Sequence, residues 1–132
     1  MADVKRAVDD PLLQLRTGEM WATLRAAIAL SNEANNAFQN AWESGLQLTG
    51  QSRGEVAMLV AAARTNAART ALQITSQIFE LMGARATTAR HGFDRYWRNV
   101  RVHTLHDPVD YRSKEIGRSL LTGELPNAFG YG

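Results

Sequence analysis

Two long stretches with a helical period dominate the sequence and restrict the chain to an all-α fold. From about Asp10 to Ser44, one stripe of side chains recurs at alternating intervals of three and four residues, which is typical of a helix packed against other helices. That stripe consists of Trp21, Leu24, Ile28, Ser31, Asn35, Phe38 and Trp42. A second stripe consists of Val60, Ala63, Ala67, Ala71, Ile74, Ile78 and Leu81. Strand signals are almost absent, because β-branched residues never alternate over a useful length.

The ends of the two long helices carry recognisable cap residues. Asp10 is a natural N-cap and is followed by proline, which suits a first helical turn. Ser52 with Glu55 is typical of a capping box that opens the second helix. Gly83 suits the left-handed position that ends it. The connection between the helices is short, so we expect two antiparallel neighbours, each roughly 45 Å long.

The rest of the chain predicts a polar loop and two shorter helices. The loop covers residues 84–89, and the third helix covers residues 91–106, with Phe93, Trp97, Val100 and Thr104 facing inward. Asp107 is the expected N-cap of a fourth helix and Pro108 its first residue. The residues expected to be buried on it are Val109, Ile116 and Leu120, and Gly123 is expected to end it.

These elements predict one all-α domain over residues 1–132. Its architecture is an up-and-down helical bundle with two long antiparallel helices and two shorter C-terminal helices. Residues 1–9 and 124–132 are expected to be flexible or arm-like, and Phe129 and Tyr131 suit an arm that lies on another surface.

Composition excludes several classes of protein. The chain has no cysteine, which rules out disulfides, thiolate metal ligands and cysteine nucleophiles. Its N-terminus does not have the apolar core of a signal peptide, and no apolar run reaches the ~20 residues of a membrane span. We therefore expect a cytoplasmic protein without membrane contact. The net charge of +2 is too small to predict nucleic-acid binding by the whole molecule.

Two histidines close to an aspartate raise the question of a metal site. His103 and His106 are three residues apart and precede Asp107, so both imidazoles can lie on one helix face. The alternative is a polar helix end, where a protonated histidine is favourable. Because no fourth ligand is evident, we predict no metal.

One segment is unusually basic, with five arginines and one acid between Arg85 and Arg101. Arg95, Arg98 and Arg101 share a stripe that either pairs with acids in solvent or binds an anion. Arg85 differs, because a loop arginine beside backbone N–H groups is a good phosphate ligand. This basic segment is the only feature of the sequence that favours the alternative of a helical bundle that binds nucleic acid.

Two motifs identify a family resemblance. The segments ELMGARATT (residues 80–88) and FDRYWRNVRVHTLHDPVDY (residues 93–111) resemble the C-terminal helical domain of the acyl-CoA dehydrogenase fold, and more narrowly its flavin-dependent monooxygenase branch. With the two long helices, the resemblance covers nearly the whole chain. The second motif is quite specific, whereas the alanine-rich helices are not.

The chain departs from the dehydrogenase pattern at two places. Dehydrogenases carry a glutamine and a Gly-Gly loop that hold the adenosine half of FAD, whereas this chain has Glu80 and Gly83-Ala84. Where their Tyr-Glu-Gly-Thr motif supplies the catalytic base, this chain reads His106-Asp107-Pro108-Val109. A base must reach its proton to within about 3 Å, and a shorter aspartate committed to a helix cap is poorly suited to that role. The departures favour reduced FMN over FAD and monooxygenation over dehydrogenation.

The resemblance also implies a cofactor, partners and site residues. In this branch a separate flavin reductase delivers reduced flavin, and one atom of oxygen is transferred to a small-molecule substrate. The resemblance implies that His106 lies at the flavin–substrate site, with His103 as second choice. It implies that Arg85 binds the flavin phosphate of a neighbouring subunit, assisted by Gly83, Ala84, Thr87 and Thr88. It further implies a homo-oligomer, dimer or tetramer, formed through the helical bundle.

Family members carry two further domains ahead of this one, so the chain corresponds to roughly their last third. We therefore expect the isolated chain not to be a competent monooxygenase. A non-catalytic oligomerisation domain and a fragment of an acyl-CoA dehydrogenase are the alternative interpretations.

Overall fold

A computed structural model describes residues 6–106 and 108–126, and this part of the chain forms four α-helices and no strand. The helices are α1 (Pro11–Glu43), α2 (Gly50–Met82), α3 (Asp94–His106) and α4 (Val109–Thr122). Short 3₁₀ turns cover Ala7–Asp9, Gly45–Gln47 and Ala84–Thr87. The predicted all-α bundle is confirmed.

The start of α1 is fixed by the predicted cap. The Asp10 carboxylate accepts hydrogen bonds from the backbone N–H groups of Leu12 at 2.8 Å and Leu13 at 3.4 Å. Pro11 occupies the first helical turn, where its missing N–H costs nothing. At the other end of α1, Gly45 has a φ of +50°, and the chain reverses direction there.

The predicted cap of α2 is wrong by three residues. Thr49, with extended backbone angles, is the N-cap, and its hydroxyl accepts the N–H of Ser52 at 3.1 Å. The Ser52 side chain lies inside the first turn, 2.9 Å from the Thr49 hydroxyl. Both residue types are good caps, and the one that precedes Gly50 has the extended conformation that a cap requires.

The buried face of α1 lies about a quarter turn away from the predicted stripe. The residues buried on α1 are Met20, Ala27 and Ala34, at intervals of seven. Trp21, Phe38 and Trp42 of the predicted stripe are 64%, 58% and 75% exposed. Small residues allow α1 to approach α2 closely, so the bulky apolar side chains stay on the outside. We call the exposed set the α1 outer face: Trp21, Leu24, Ile28, Phe38 and Trp42.

Helix α2 is the middle layer of the bundle, because it contacts α1 on one side and α3 and α4 on the other. Its predicted stripe faces α1, and Ala63 on it is buried. The opposite face was not predicted, and its buried residues are Gly54, Ala61, Thr65 and Ala68. Arg69 also points to that side, where its guanidinium lies 3.3 Å from the Ser113 hydroxyl and 3.9 Å from Asp110.

The shorter helices are held to α2 through small polar residues. Thr104 on α3 and Ser119 on α4 are both buried. Two inward predictions are wrong, since Trp97 is 39% exposed and Leu120 is 76% exposed. The reason on α4 is that the small Ser119 occupies the contact with α2, which turns the neighbouring leucine outward.

The ends of α4 match the predictions in part. Pro108 is the N-cap and not the first helical residue, and the predicted cap Asp107 lies outside the described residues. Gly123 ends the helix in the left-handed conformation, and its N–H donates to the Ser119 carbonyl at 2.8 Å.

Both predicted arms begin with ordered contacts. In the N-terminal segment, the Gln14 amide donates to the Val8 carbonyl at 2.9 Å. After α4, the side chain of Leu125 packs directly over Gly54. Residues 1–5 and 127–132, which include Phe129 and Tyr131, lie outside the described residues. In the described part, none of the helices combines the length and hydrophobicity needed to cross a bilayer.

Candidate cofactor and substrate site

The candidate phosphate loop begins where Gly83 ends α2. Gly83 has φ +77° and ψ 171°, and its N–H donates to the Phe79 carbonyl at 2.8 Å. The positive φ agrees with the prediction of a glycine stop, but this ψ lies outside the left-handed helical region that we predicted. Only glycine adopts such a conformation without strain, so this residue sets the direction in which the loop leaves α2.

Hydrogen bonds within the loop hold it as a tight 3₁₀ turn. The Thr87 hydroxyl donates to the Ala84 carbonyl at 2.7 Å, and the Thr88 hydroxyl donates to the Arg85 carbonyl at 3.0 Å. Ala86 is buried and anchors the turn. Both hydroxyl protons are therefore used inside the loop, so these threonines shape the loop more directly than they could bind a phosphate.

Arg85 is the exposed cation of this loop. No ion pair to it occurs among residues 6–106 and 108–126, so its guanidinium keeps its donors for a ligand. A guanidinium on a rigid turn loses little freedom when it binds an anion in a bidentate manner. Of the five residues predicted to hold the cofactor, Arg85 has the chemistry best suited to a phosphate.

Glu80, one turn before the loop, is already paired. Its carboxylate lies 3.3 Å from the Arg16 guanidinium of α1, and Arg16 also binds Glu19 at 2.9 Å. The hydrogen bond to Glu19, helped by the charge of Glu80, raises the pKa of Arg16 above its ordinary value. This contact joins the start of α1 to the end of α2, as antiparallel helices require.

The three arginines of the α3 stripe have different surroundings. Arg98 pairs with Asp94 at 3.0 Å. Arg95 donates to the Tyr96 hydroxyl at 3.0 Å, and its guanidinium lies 4.9 Å from the centre of the Tyr96 ring. Arg101 is exposed and has no carboxylate partner within the described ranges. Most of the stripe therefore serves as a solvated helix face.

The two candidate catalytic histidines lie in the last turn of α3. His103 and His106 are both exposed, whereas Thr104 between them is buried and its hydroxyl donates to the Arg101 carbonyl at 2.9 Å. Their spacing places them near each other on the side of α3 that faces away from α2. In residues 6–106 and 108–126, no group of three or more histidine, aspartate or glutamate side chains is arranged to hold a metal ion.

The phosphate loop and the histidines lie on different elements of the chain, the turn Ala84–Thr87 and the last turn of α3. The loop precedes the N-terminus of α3, and both histidines lie at its C-terminus. From Asp94 to His106 the helix rises by roughly 18 Å.

Two apolar grooves beside α1 were missed by the sequence reasoning. The first has a volume of about 570 Å³ and lies near the loop. Its lining residues are Ala7, Val8, Leu13, Gln14, Thr17, Gly18, Trp21 and Leu81. The second, which we call the turn groove, has a volume of about 390 Å³ and lies at the α1–α2 turn. Its lining residues are Phe38, Ala41, Trp42, Gly45, Leu48, Arg53 and Val56. The one sequence feature that could have predicted these grooves is the row of large apolar side chains on the α1 outer face.

The fold and this loop define a class of protein. Residues 1–111 match the family described as acyl-CoA dehydrogenase, C-terminal domain. This match spans most of the chain, and the chain therefore belongs to that family. The family resemblance drawn from residues 80–88 and 93–111 is confirmed.

Curated relatives of the chain are monooxygenases. It is 45% identical over 125 residues to dibenzothiophene monooxygenase of Mycolicibacterium goodii, which covers 95% of this chain and 30% of the relative. It is 41% identical over 120 residues to the probable FMNH₂-dependent monooxygenase SfnC of Pseudomonas putida, which covers 91% of this chain and 30% of the relative. The chain thus spans less than a third of the length of these relatives.

Solved structures agree with these relatives. Methanesulfinate monooxygenase MsuC from Pseudomonas fluorescens superposes with a TM-score of 0.92 at 38% identity, over 98% of this chain and 34% of that chain. FMN-bound TdsC from Paenibacillus sp. A11-2 superposes with a TM-score of 0.91 at 39% identity, over 99% of this chain and 33% of that chain.

The conformation of Gly83 generates a prediction. Replacing Gly83 with Ala places a Cβ on a backbone that only glycine adopts easily, and we expect a loss of about 1–3 kcal/mol in the free energy of unfolding. The matched control is Gly18→Ala in the third turn of α1, where the new Cβ meets no atom within 4 Å. That change should stabilise the protein by about 0.5–1 kcal/mol. Urea unfolding measures both, and a Gly83→Ala protein as stable as the unmodified chain would contradict the assignment.

Proposed function

We propose that the chain is the C-terminal domain of a two-component monooxygenase that uses reduced FMN. The observation that carries this proposal is the identity of 38–45% over at least 91% of the chain to proteins named as monooxygenases. One of these is named as FMNH₂-dependent, and the structure of another contains FMN. Reduced FMN, supplied by a separate flavin reductase, would activate oxygen for transfer to a small-molecule substrate. The location of the protein in the cytoplasm stays a prediction.

Two features of the chain argue against the dehydrogenase alternative. The segment that would hold the dehydrogenase base contains Pro108, which is the N-cap of α4. Glu80, which replaces the glutamine of the dehydrogenases, is held by Arg16 at 3.3 Å. A carboxylate at this position offers no donor to a ligand and repels a second phosphate, so FMN is favoured over FAD.

The role proposed for Arg85 is to bind the flavin phosphate. It is an unpaired cation on a turn that internal hydrogen bonds hold in one shape, which is the arrangement that phosphate recognition favours. Gly83, Ala84, Thr87 and Thr88 would support it by fixing the backbone of the turn. This fit depends on the chain's own residues and does not require the flavin ring to be enclosed by the domain.

A pair of ligands that differ by the phosphate tests this role. We expect FMN to bind the chain more tightly than riboflavin, and Arg85→Ala to remove that difference. The loss for FMN should be about 1.5–3 kcal/mol, the value of a hydrogen bond to a charged group, which is roughly 10–100-fold in affinity. Calorimetric titration measures it, and Arg90→Ala at the end of the same loop is the control for charge alone. Equal effects of the two variants would remove the Arg85 assignment.

His106 is proposed as the histidine at the flavin–substrate site, with His103 behind it. Both lie in the last turn of α3. An imidazole there could donate a hydrogen bond or exchange a proton with the reacting atoms. Their exposure in this chain leaves them accessible to a substrate pocket whose other walls come from elsewhere.

The two histidines can be separated by substitution in the intact enzyme. His106→Asn should lower product turnover by about 10²–10⁴-fold, the usual contribution of a general acid, with little change in FMN affinity. His103→Asn is the matched control and should have a smaller effect. If both variants turn over substrate at the unmodified rate, neither histidine is catalytic.

Self-association is the other part of the proposal. The α1 outer face exposes Trp21 at 64% and Trp42 at 75%, together with Leu24, Ile28 and Phe38. Contiguous apolar surface of this kind marks a protein interface. We propose that it packs against a copy of the chain in a dimer or tetramer, which would also bring Arg85 of one subunit to the cofactor of another. An oligomerisation domain without catalytic residues remains the alternative for the chain alone.

Light scattering tests this interface. We expect the chain to be a dimer or larger, and the double variant Trp21→Asp, Ile28→Asp to be a monomer, because two buried carboxylates would be unpaired. The control Ala22→Asp lies on the polar side of the same helix and should leave the mass unchanged. A monomeric unmodified chain would contradict the proposal.

A further inference from the structure

The basic segment, residues 85–101, concentrates the positive charge of the chain in one part of the fold. Its five arginines and one aspartate give it a net charge of +4. Because the whole chain has a net charge of only +2, all the other residues together carry −2. The segment comprises the phosphate loop and most of α3, which contact α2 on the side opposite α1. The electrostatic potential is therefore positive around this segment and not over the rest of the surface.

Most of this charge is not compensated by a neighbouring acid. The one aspartate of the segment, Asp94, pairs with Arg98 at 3.0 Å. Arg95 donates to the uncharged hydroxyl of Tyr96 at 3.0 Å, which leaves the charge of the guanidinium intact. Arg101 and the two arginines of the loop are exposed, and none of them has a carboxylate partner among the residues that the structure describes. Four positive charges of the segment are thus left to act on a ligand.

The spacing of these charges suits attraction through solvent. Arg95 and Arg101 are six residues apart on α3, a rise of about 9 Å. The Debye length at physiological ionic strength is about 8 Å, so both charges act on an anion that passes between them. The arginines of α3 are solvated and do not surround a cavity, which favours attracting an anion over holding one. A long polyanion would also meet the negative remainder of the chain, so the pattern favours a small anion.

We propose that the arginines of α3, above all Arg95 and Arg101, steer the anionic flavin toward the phosphate loop. Such steering rests on the proposed function, in which reduced FMN arrives from a separate reductase and Arg85 binds its phosphate. A phosphate monoester carries a charge of about −1.5 to −2 near pH 7, so the positive field raises its rate of encounter with the loop. Arg85 then determines how long the flavin stays, and the arginines of α3 determine how fast it arrives.

Stopped-flow association of the full chain with FMN, followed by flavin fluorescence, separates these two effects. At about 100 mM salt we expect Arg101→Gln to lower kon about twofold and Arg101→Glu about fourfold, because they remove one and two unit charges near the path of the ligand. The value of koff should not change, since a charge outside the contact acts on the encounter. At about 1 M salt, where the Debye length is about 3 Å, the rates of all variants should converge.

A second ligand and a second position serve as controls. Riboflavin has no phosphate and no net charge, so its kon should depend neither on salt nor on the variant. Arg25→Gln and Arg25→Glu change the net charge by the same amounts on α1. Arg25 is also exposed and has no acidic partner in residues 6–106 and 108–126. Helix α1 is separated from α3 by α2, roughly two helix-packing distances or 16–20 Å, so these variants should leave kon nearly unchanged.

Two results would overturn the steering role while the proposed function stands. Equal effects of Arg101→Glu and Arg25→Glu on kon would mean that only the net charge matters. A higher koff in Arg101→Glu would mean that Arg101 contacts the flavin directly. In both cases Arg85→Ala should still raise koff, because that contact is a separate one. A chain that binds no FMN at either salt concentration would contradict the phosphate role of Arg85 and the steering together.

Discussion

Close packing of α1 against α2 through small residues is the constraint on which the rest of the structure depends. The buried residues of α1 are Met20, Ala27 and Ala34, and those of α2 are alanine, glycine and threonine. Among the described residues no large side chain is fully buried. An interface of this kind brings two backbones close together, but it buries little apolar area per residue. The large apolar side chains of α1 therefore add little burial within the described part of the chain.

The middle position of α2 explains how the candidate sites are placed. One face of α2 meets α1 and the opposite face meets α3 and α4, so the direction of α2 sets where its C-terminus delivers the loop at Gly83. The positive φ of that glycine turns the chain toward α3, and the buried Thr104 fixes the rotation of α3 about its axis. That rotation is what leaves His103 and His106 accessible.

The sequence predicted the number of helices, their lengths and most of their stops from local signals. Asp10, Gly83 and Gly123 each end or begin a helix for reasons that lie within a few residues, and such signals can be read without tertiary information. The cap of α2 could be assigned to Thr49 or to Ser52 on residue type alone, and only the backbone conformation distinguishes them. The buried face of α1 could not be predicted in the same way, because the largest apolar side chains of that helix are exposed and the small ones are buried. Periodicity identifies the faces of a helix that avoid water, but it does not say which of them is covered by the same chain.

In the candidate site, too, local sequence signals identified the residues, and only the structure gives their surroundings. Arg85 was identified from a motif, and the structure adds that its donors are free while the hydroxyl protons of Thr87 and Thr88 are used within the turn. The histidines were identified from a neighbouring motif, and they lie in the last turn of α3, whereas the loop precedes the first turn of that helix. The proposed phosphate ligand and the proposed proton donors are therefore carried by different elements, the turn after α2 and the last turn of α3. The exposed aromatic residues of α1 follow from the same packing as the core, because small residues fill the contact with α2 and leave the large side chains on the outside.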